Sequence, residues 1–161
     1  MTRDSLSAPE RARILAPAAA LFAFGLVIGL VFTFEAIGHV AAWPLLPALD
    51  FQMPGTEAAW RRAHLGALIN ALAMIAFAVA GGSILLGARA RGLYILSVCI
   101  TGWANTLGFL VGALFGVRGL EFGAPWANAL NYLLFLAAVP TAFAQSWLLW
   151  QGARARRESA A

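Results

Sequence analysis

Four stretches of this chain carry no charge: Ile14 to Phe34, Ala63 to Ala88, Gly92 to Val117 and Phe122 to Ala153. Each is long enough for the ~20 residues that a helix needs to cross a ~30 Å hydrocarbon core. Backbone inside lipid must satisfy its own hydrogen bonds, so apolar runs of this length predict helices. The expected fold is all-α, an integral membrane four-helix bundle forming a single membrane domain over residues 1–161. Its helices are expected at about 14–40, 57–86, 92–115 and 126–152, with short polar tails.

Polar and turn-forming residues punctuate these runs. Pro9-Glu10 marks a polar leading segment, residues 1–12, and the first outer loop holds Trp43-Pro44, Pro47, Asp50 and Pro54-Gly55, a cluster that no helix tolerates. Thr56 suits an N-cap and Glu57 the positive end of the second helix. Gly25 and Gly29 stand four apart in helix 1, and Gly108, Gly112 and Gly116 repeat that step in helix 3. Such spacing lets helices approach closely. Gly81-Gly82 reads as a bend or a close contact, and Pro125 as the start of helix 4.

Composition sharpens this picture. Hydrophobic residues make up 61% of the 161 and charged ones 11%, far below the ~25% charged content of soluble domains. All 11 basic residues are arginine, and Arg3, Arg11, Arg13, Arg89, Arg91, Arg154, Arg156 and Arg157 fall on one side of a four-span topology. The positive-inside bias places that side, with both termini, in the cytoplasm. A bacterial-type inner (cytoplasmic) membrane is the expected location, and the net charge of +4 needs no nucleic acid to explain it. The first apolar run is too long for a signal peptide and reads as a retained span. Cys99 is the sole cysteine, which excludes a disulfide framework and a covalent Cys-x-x-Cys-His haem site.

Against this apolar background His64 stands out, six residues before Asn70 in helix 2. A polar group inside a span is costly enough to suggest function, and imidazole is a common metal ligand. At 1.5 Å per residue, Asn70 lies about 21 Å from Thr56 and Asn105 about 20 Å from Arg118, so the two carboxamides share one level. His64 and Phe109 lie about 12 and 14 Å in, respectively. Around helix 2, His64 and Asn70 are about 120° apart, facing different neighbours or flanking one large ligand. An oligomer would supply a further neighbour. Arg61 shares the face of His64 and suits a carboxylate at the interface.

On the residues alone, plainer readings stay open. His64 near a helix end also suits a hydrogen bond to a backbone carbonyl or a lipid headgroup, and an asparagine in a span is often interhelical glue. Arg61, Arg62 and Arg118 suit interfacial anchors, and Trp43, Trp60, Trp126 and Trp150 an aromatic belt. Glu35 and His39 are expected to pair at the end of helix 1, and Asn128 and Asn131 read as capping and packing.

Taken in order, Pro54-Gly55-Thr56-Glu57-Ala58-Ala59-Trp60-Arg61-Arg62-Ala63-His64, Asn70, Gly102-Trp103-Ala104-Asn105 and Arg118-Gly119-Leu120-Glu121-Phe122-Gly123 resemble the styrene oxide isomerases. A looser resemblance links the Ala63-His64 pair and Asn70 to hydroxylaminobenzene mutases. The closer resemblance implies haem b with ferric iron, held between subunits of a homo-oligomer, a trimer. His64 would be the axial ligand, Arg61 a partner for a haem propionate, and Asn70 and Asn105 the active-site asparagines. Where the family carries an active-site tyrosine, this chain has Phe109, or Leu110 if the Gly108-Phe109 pair is aligned; neither has a hydroxyl, and Phe109 is left with apolar contact or cation stabilisation.

The activity so implied opens an aryl epoxide such as styrene oxide by Lewis-acid chemistry at iron, followed by a 1,2-hydride shift to phenylacetaldehyde. Two alternatives stand beside it: another haem-assisted rearrangement, of the hydroxylaminobenzene mutase kind, and a non-catalytic membrane haem protein. The latter calls for a second axial ligand, for which only His39 remains.

Overall fold

The computed structural model describes residues 3–40 and 42–160. The chain forms α1 (Ala8–Ile37), β1 (His39–Val40), β2 (Leu49–Asp50), α2 (Glu57–Gly81), α3 (Ala88–Phe115) and α4 (Trp126–Glu158). All four helices are long and apolar enough to cross a membrane, so the protein is an all-α, multi-pass membrane bundle. α1 packs chiefly on α2 and α3 on α4, while contacts between α2 and α3 join the two pairs. The start of α1, the α2–α3 connection and the end of α4 gather at one end, through Asp4 with Leu86 and through Leu85 N–H donating to Gly152 O. This is the arginine-rich end.

Three helices reach further than expected at one end, while α1 stops short at its other end and α2 at its only differing end. α1 begins at Ala8 rather than near 14 because Ser7 and Glu10 form a capping box: Ser7 N–H donates to Glu10 Oε2 at 2.8 Å, and Glu10 N–H to Ser7 Oγ at 3.4 Å. Two otherwise unpaired donors are satisfied there. Pro9 is accommodated in the first turn, where its missing N–H costs nothing. α1 stops at Ile37, not Val40, because Gly38 turns left-handed (φ 75°) and returns its N–H to Phe34 O. His39–Val40 instead pairs antiparallel with Leu49–Asp50.

α2 ends at Gly81 instead of reaching 86. Leu6 fills the space that a side chain at Gly81 would need, and the residues beyond pair with other segments, Leu86 exchanging both backbone hydrogen bonds with Asp4. Arg91 ties the same end together through Glu10 at 2.9 Å and Leu86 O at 3.2 Å. α3 begins at Ala88, four residues before its expected start, and α4 runs on to Glu158 past its arginines. Gly116 is the left-handed cap of α3 (φ 65°) rather than part of a packing seam.

Two side-chain expectations also change. Glu35 and His39 do not pair. Glu35 accepts the Met53 N–H at 2.6 Å, and His39 Nδ1 lies 3.1 Å from Ile37 O, because β1 turns His39 away from the helix axis. Trp60 is no belt residue: it is 2% exposed and donates Nε1–H to Pro54 O at 2.9 Å, anchoring the start of α2. Trp43, Trp126 and Trp150 are exposed, as a belt requires.

Candidate functional site

α2 presents His64 to α1 and Asn70 to α3, the divergence that their angular offset predicted. His64 Nδ1 lies 2.9 Å from Gly25 O. A carbonyl can only accept, so Nδ1 carries the proton, and in the neutral ring Nε2 holds a lone pair. Nε2 makes no hydrogen bond among the described residues. The ring lies against Gly29, where a Cβ would come within 2.6 Å of Cε1 and 2.7 Å of Nδ1. Phe32 stacks on the ring at 6.4 Å between centroids and 19° between planes.

The hydrogen bond fixes the tautomer, and the glycine and the aromatic ring fix the orientation. Such support is characteristic of ligating histidines. A residue with a Cβ at Gly29 must push the imidazole aside. Gly29→Val is therefore expected to lower thermal stability by ~1–3 kcal/mol and to break the Nδ1 contact, which a change in the His64 ring-nitrogen NMR shifts would report.

Asn70 and Asn105 meet at the shared level expected for them. Asn105 Nδ2 donates to Asn70 Oδ1 at 3.2 Å, and Asn70 Nδ2 donates to the Thr106 hydroxyl at 3.0 Å. Each carboxamide uses one of its two N–H donors in this chain and keeps the other. Thr106 is 0% exposed and was missed from sequence, although it directly follows Asn105. Its hydroxyl is the fixed end from which both amides take their orientation.

Phe109 lies one turn beyond Asn105. Its ring covers Gly66 of α2, where a Cβ would meet Cδ2 at 2.6 Å, and meets Phe135 of α4 edge to face at 5.5 Å. No tyrosine supplies a hydroxyl beside it. Tyr94 is buried and donates to Phe77 O at 2.8 Å, and Tyr132 packs its ring on Phe122.

Arg61 is exposed and pairs with Glu57 one turn earlier, an exposed pair that contributes little to stability. His39 stands past the end of α1, while His64 sits at Gly29, about 12 Å before that end. The two histidines do not bracket one site within a chain. No group of three or more His, Cys, Asp or Glu side chains that could hold a bare metal ion occurs among the described residues.

Comparison with known proteins extends this geometry. The family described as styrene oxide isomerase matches residues 10–154. A styrene-oxide isomerase of Pseudomonas fluorescens is 34% identical over 122 residues, which cover 74% of this chain and 67% of the relative.

Proposed function

The chain belongs to the styrene oxide isomerase family and is an epoxide isomerase; we propose that it converts an aryl epoxide such as styrene oxide to the aldehyde within the membrane, with haem b as cofactor. The observation that carries the cofactor is His64, whose Nδ1 donates to Gly25 O and leaves Nε2 as a lone pair. A tetrapyrrole brings four nitrogens of its own and asks the protein for one axial donor. A single oriented imidazole fits that demand, whereas a bare ion needs a cage of several ligands. Ferric haem held by His64 would supply Lewis-acid chemistry for opening an epoxide.

The protein's own residues supply the rest. The spare N–H groups of Asn70 and Asn105 donate to the oxygen as the benzylic C–O bond breaks and its electron pair moves there. Their fixed dipoles act more strongly in a site without water. A hydride then passes from the terminal to the benzylic carbon, giving the aldehyde with no atom gained or lost. Phe109 turns a ring face toward the developing cation. Apolar walls exclude the water that would yield a diol.

Within one chain His64 and the Asn70–Asn105 pair face different helices; a homo-oligomer, the trimer that the family resemblance implies, would bring one subunit's histidine to its neighbour's asparagines. Arg61 would exchange Glu57 for a haem propionate. The protein lies in a bacterial-type inner membrane in this reading, with the arginine-rich end on the cytoplasmic side by the positive-inside bias.

Styrene oxide bearing two deuterons on its terminal carbon tests the reaction. The expected product is phenylacetaldehyde with one deuteron on each side-chain carbon, read by mass spectrometry and NMR at early times. Styrene glycol as product, or loss of label to water during turnover, overturns the proposal.

A further inference from the structure

One helical turn from Asn105 toward the arginine-rich end, a small cavity of about 20 Å3 lies between α2, α3 and α4. Asn70 itself lines it, together with Thr101 of α3 and Gln145 of α4. These three carry the polar side chains of the wall, the rest of which is apolar. Gln145 is 6% exposed and makes no hydrogen bond among the described residues. A carboxamide so deep in an apolar bundle costs stability unless its bonds are made. Its Oε1 is sealed from solvent without a partner, whereas its Nε2 is not sealed. The amide therefore presents its donor end, and no acceptor among the described residues takes either N–H.

The cavity is too small for an epoxide and large enough for one water, which needs roughly 10–15 Å3 of accessible space and two to four polar partners. Three partners surround it. Gln145 offers its N–H groups. Asn70 Oδ1 accepts from Asn105 Nδ2 at 3.2 Å and has a second lone pair. Thr101 donates its one proton to Thr141 Oγ1 at 2.8 Å, and Thr141 passes its own to Ala137 O at 2.8 Å, so the Thr101 oxygen is left to accept. One donor and two acceptors are what a water with two protons and a lone pair requires.

We propose that the cavity holds one water that accepts from Gln145 Nε2 and donates to Asn70 Oδ1 and Thr101 Oγ1, and that Gln145 is a positioning residue for the isomerisation, acting through this water on Asn70. The inference rests on the isomerase reading. Donation into Oδ1 fixes the plane of the Asn70 amide without using its spare N–H, which stays free for the epoxide oxygen. It also polarises the amide, because hydrogen bonds in a chain strengthen one another where the dielectric is low. The gain is largest as charge develops on the epoxide oxygen, so it favours the transition state over the bound substrate.

Gln145→Met keeps the length of the side chain and removes the amide. Its kcat on styrene oxide should fall about three- to tenfold, the size of one neutral hydrogen bond, with KM and melting midpoint little changed. In an Asn70→Leu background the same substitution should have no further effect, because the two act in series. A residue that merely packs α4 on α3 would slow both backgrounds alike. Gln145→Leu, which has a different shape and also lacks the amide, should behave as Gln145→Met does.

The bridge is read separately in the full chain in lipid nanodiscs, without substrate. The chain has three glutamines, Gln52, Gln145 and Gln151, so isotopic labelling of glutamine side-chain nitrogen gives three NMR amide pairs, and Gln145→Met removes one. That pair is expected to show a proton cross-peak to bound water, and the Asn70 amide shift is expected to move in the variant. Absence of the cross-peak, wild-type kcat in Gln145→Met, or equal slowing in both backgrounds overturns the inference and leaves the isomerase reading in place. A cross-peak and a moved Asn70 shift in a protein that turns over no epoxide keep the bridge and remove the reaction.

Discussion

Replacement of His64 by alanine is expected to reduce bound b-type haem to less than roughly a tenth of the wild-type content and epoxide isomerisation with it, since the proposed haem would lose the one oriented imidazole that would hold it. The fold should survive. The imidazole fills space against Gly29 and Phe32 and makes one hydrogen bond, so its loss costs on the order of 1–3 kcal/mol. Pyridine haemochromogen absorbance gives the haem content, and size exclusion reports the assembly. Free imidazole should enter the vacated space and restore part of the spectrum. Haem retained in full by the alanine variant would remove His64 from its proposed role.

The second large effect is expected at the asparagines, and the two should differ in kind. Asn105→Leu removes a donor at the end of the chain of amides. Its kcat should fall by ~10²–10³, the usual effect of losing one donor to a developing oxyanion. Stability should fall less than in the Asn70 variant, since only Asn70 Oδ1 loses its partner. Asn70→Leu removes the middle member and leaves both Asn105 Nδ2 and the Thr106 hydroxyl without partners. It should lose activity to a similar degree and, in addition, ~1–3 kcal/mol of stability, visible as a lower melting midpoint. Because the two act as one unit, the double variant should fall well short of the product of the single effects. Equal loss of stability in both single variants, with kcat unchanged, would mean that the pair only holds α2 to α3.

The spans were legible because lipid imposes a length and a polarity that survive in the linear sequence. The level of the asparagines was legible for a related reason: helical rise converts spacing into depth, and Asn70 and Asn105 meet at 3.2 Å where the count put them. What hid was determined by partners distant in sequence. Thr106 looks neutral until Asn70 is placed opposite it. Trp60 resembles any interfacial tryptophan until Pro54 O is found to take its N–H. Glu35 and His39 have the spacing of a helical pair, yet Gly38 ends the helix between them. The early start of α1 was readable in principle, since Ser7-x-x-Glu10 is a capping-box pattern; the polarity of that segment masked it. The buried, unpartnered Oδ1 of Asn131 had no linear signal, because it depends on the absence of a partner in space.

The hydrogen bonds between Asp4 and Leu86 carry a consequence for how the protein is made. Leu86 leaves the ribosome some eighty residues after Asp4, so the leading segment must wait on its side of the bilayer until α2 has crossed. Only then does its backbone find a partner, and Leu6 its place at Gly81. Arg91, following at once, locks the early and late segments through Glu10. Insertion of the first hairpin is thereby registered by a contact that cannot form if α2 fails to return to the side where the chain began.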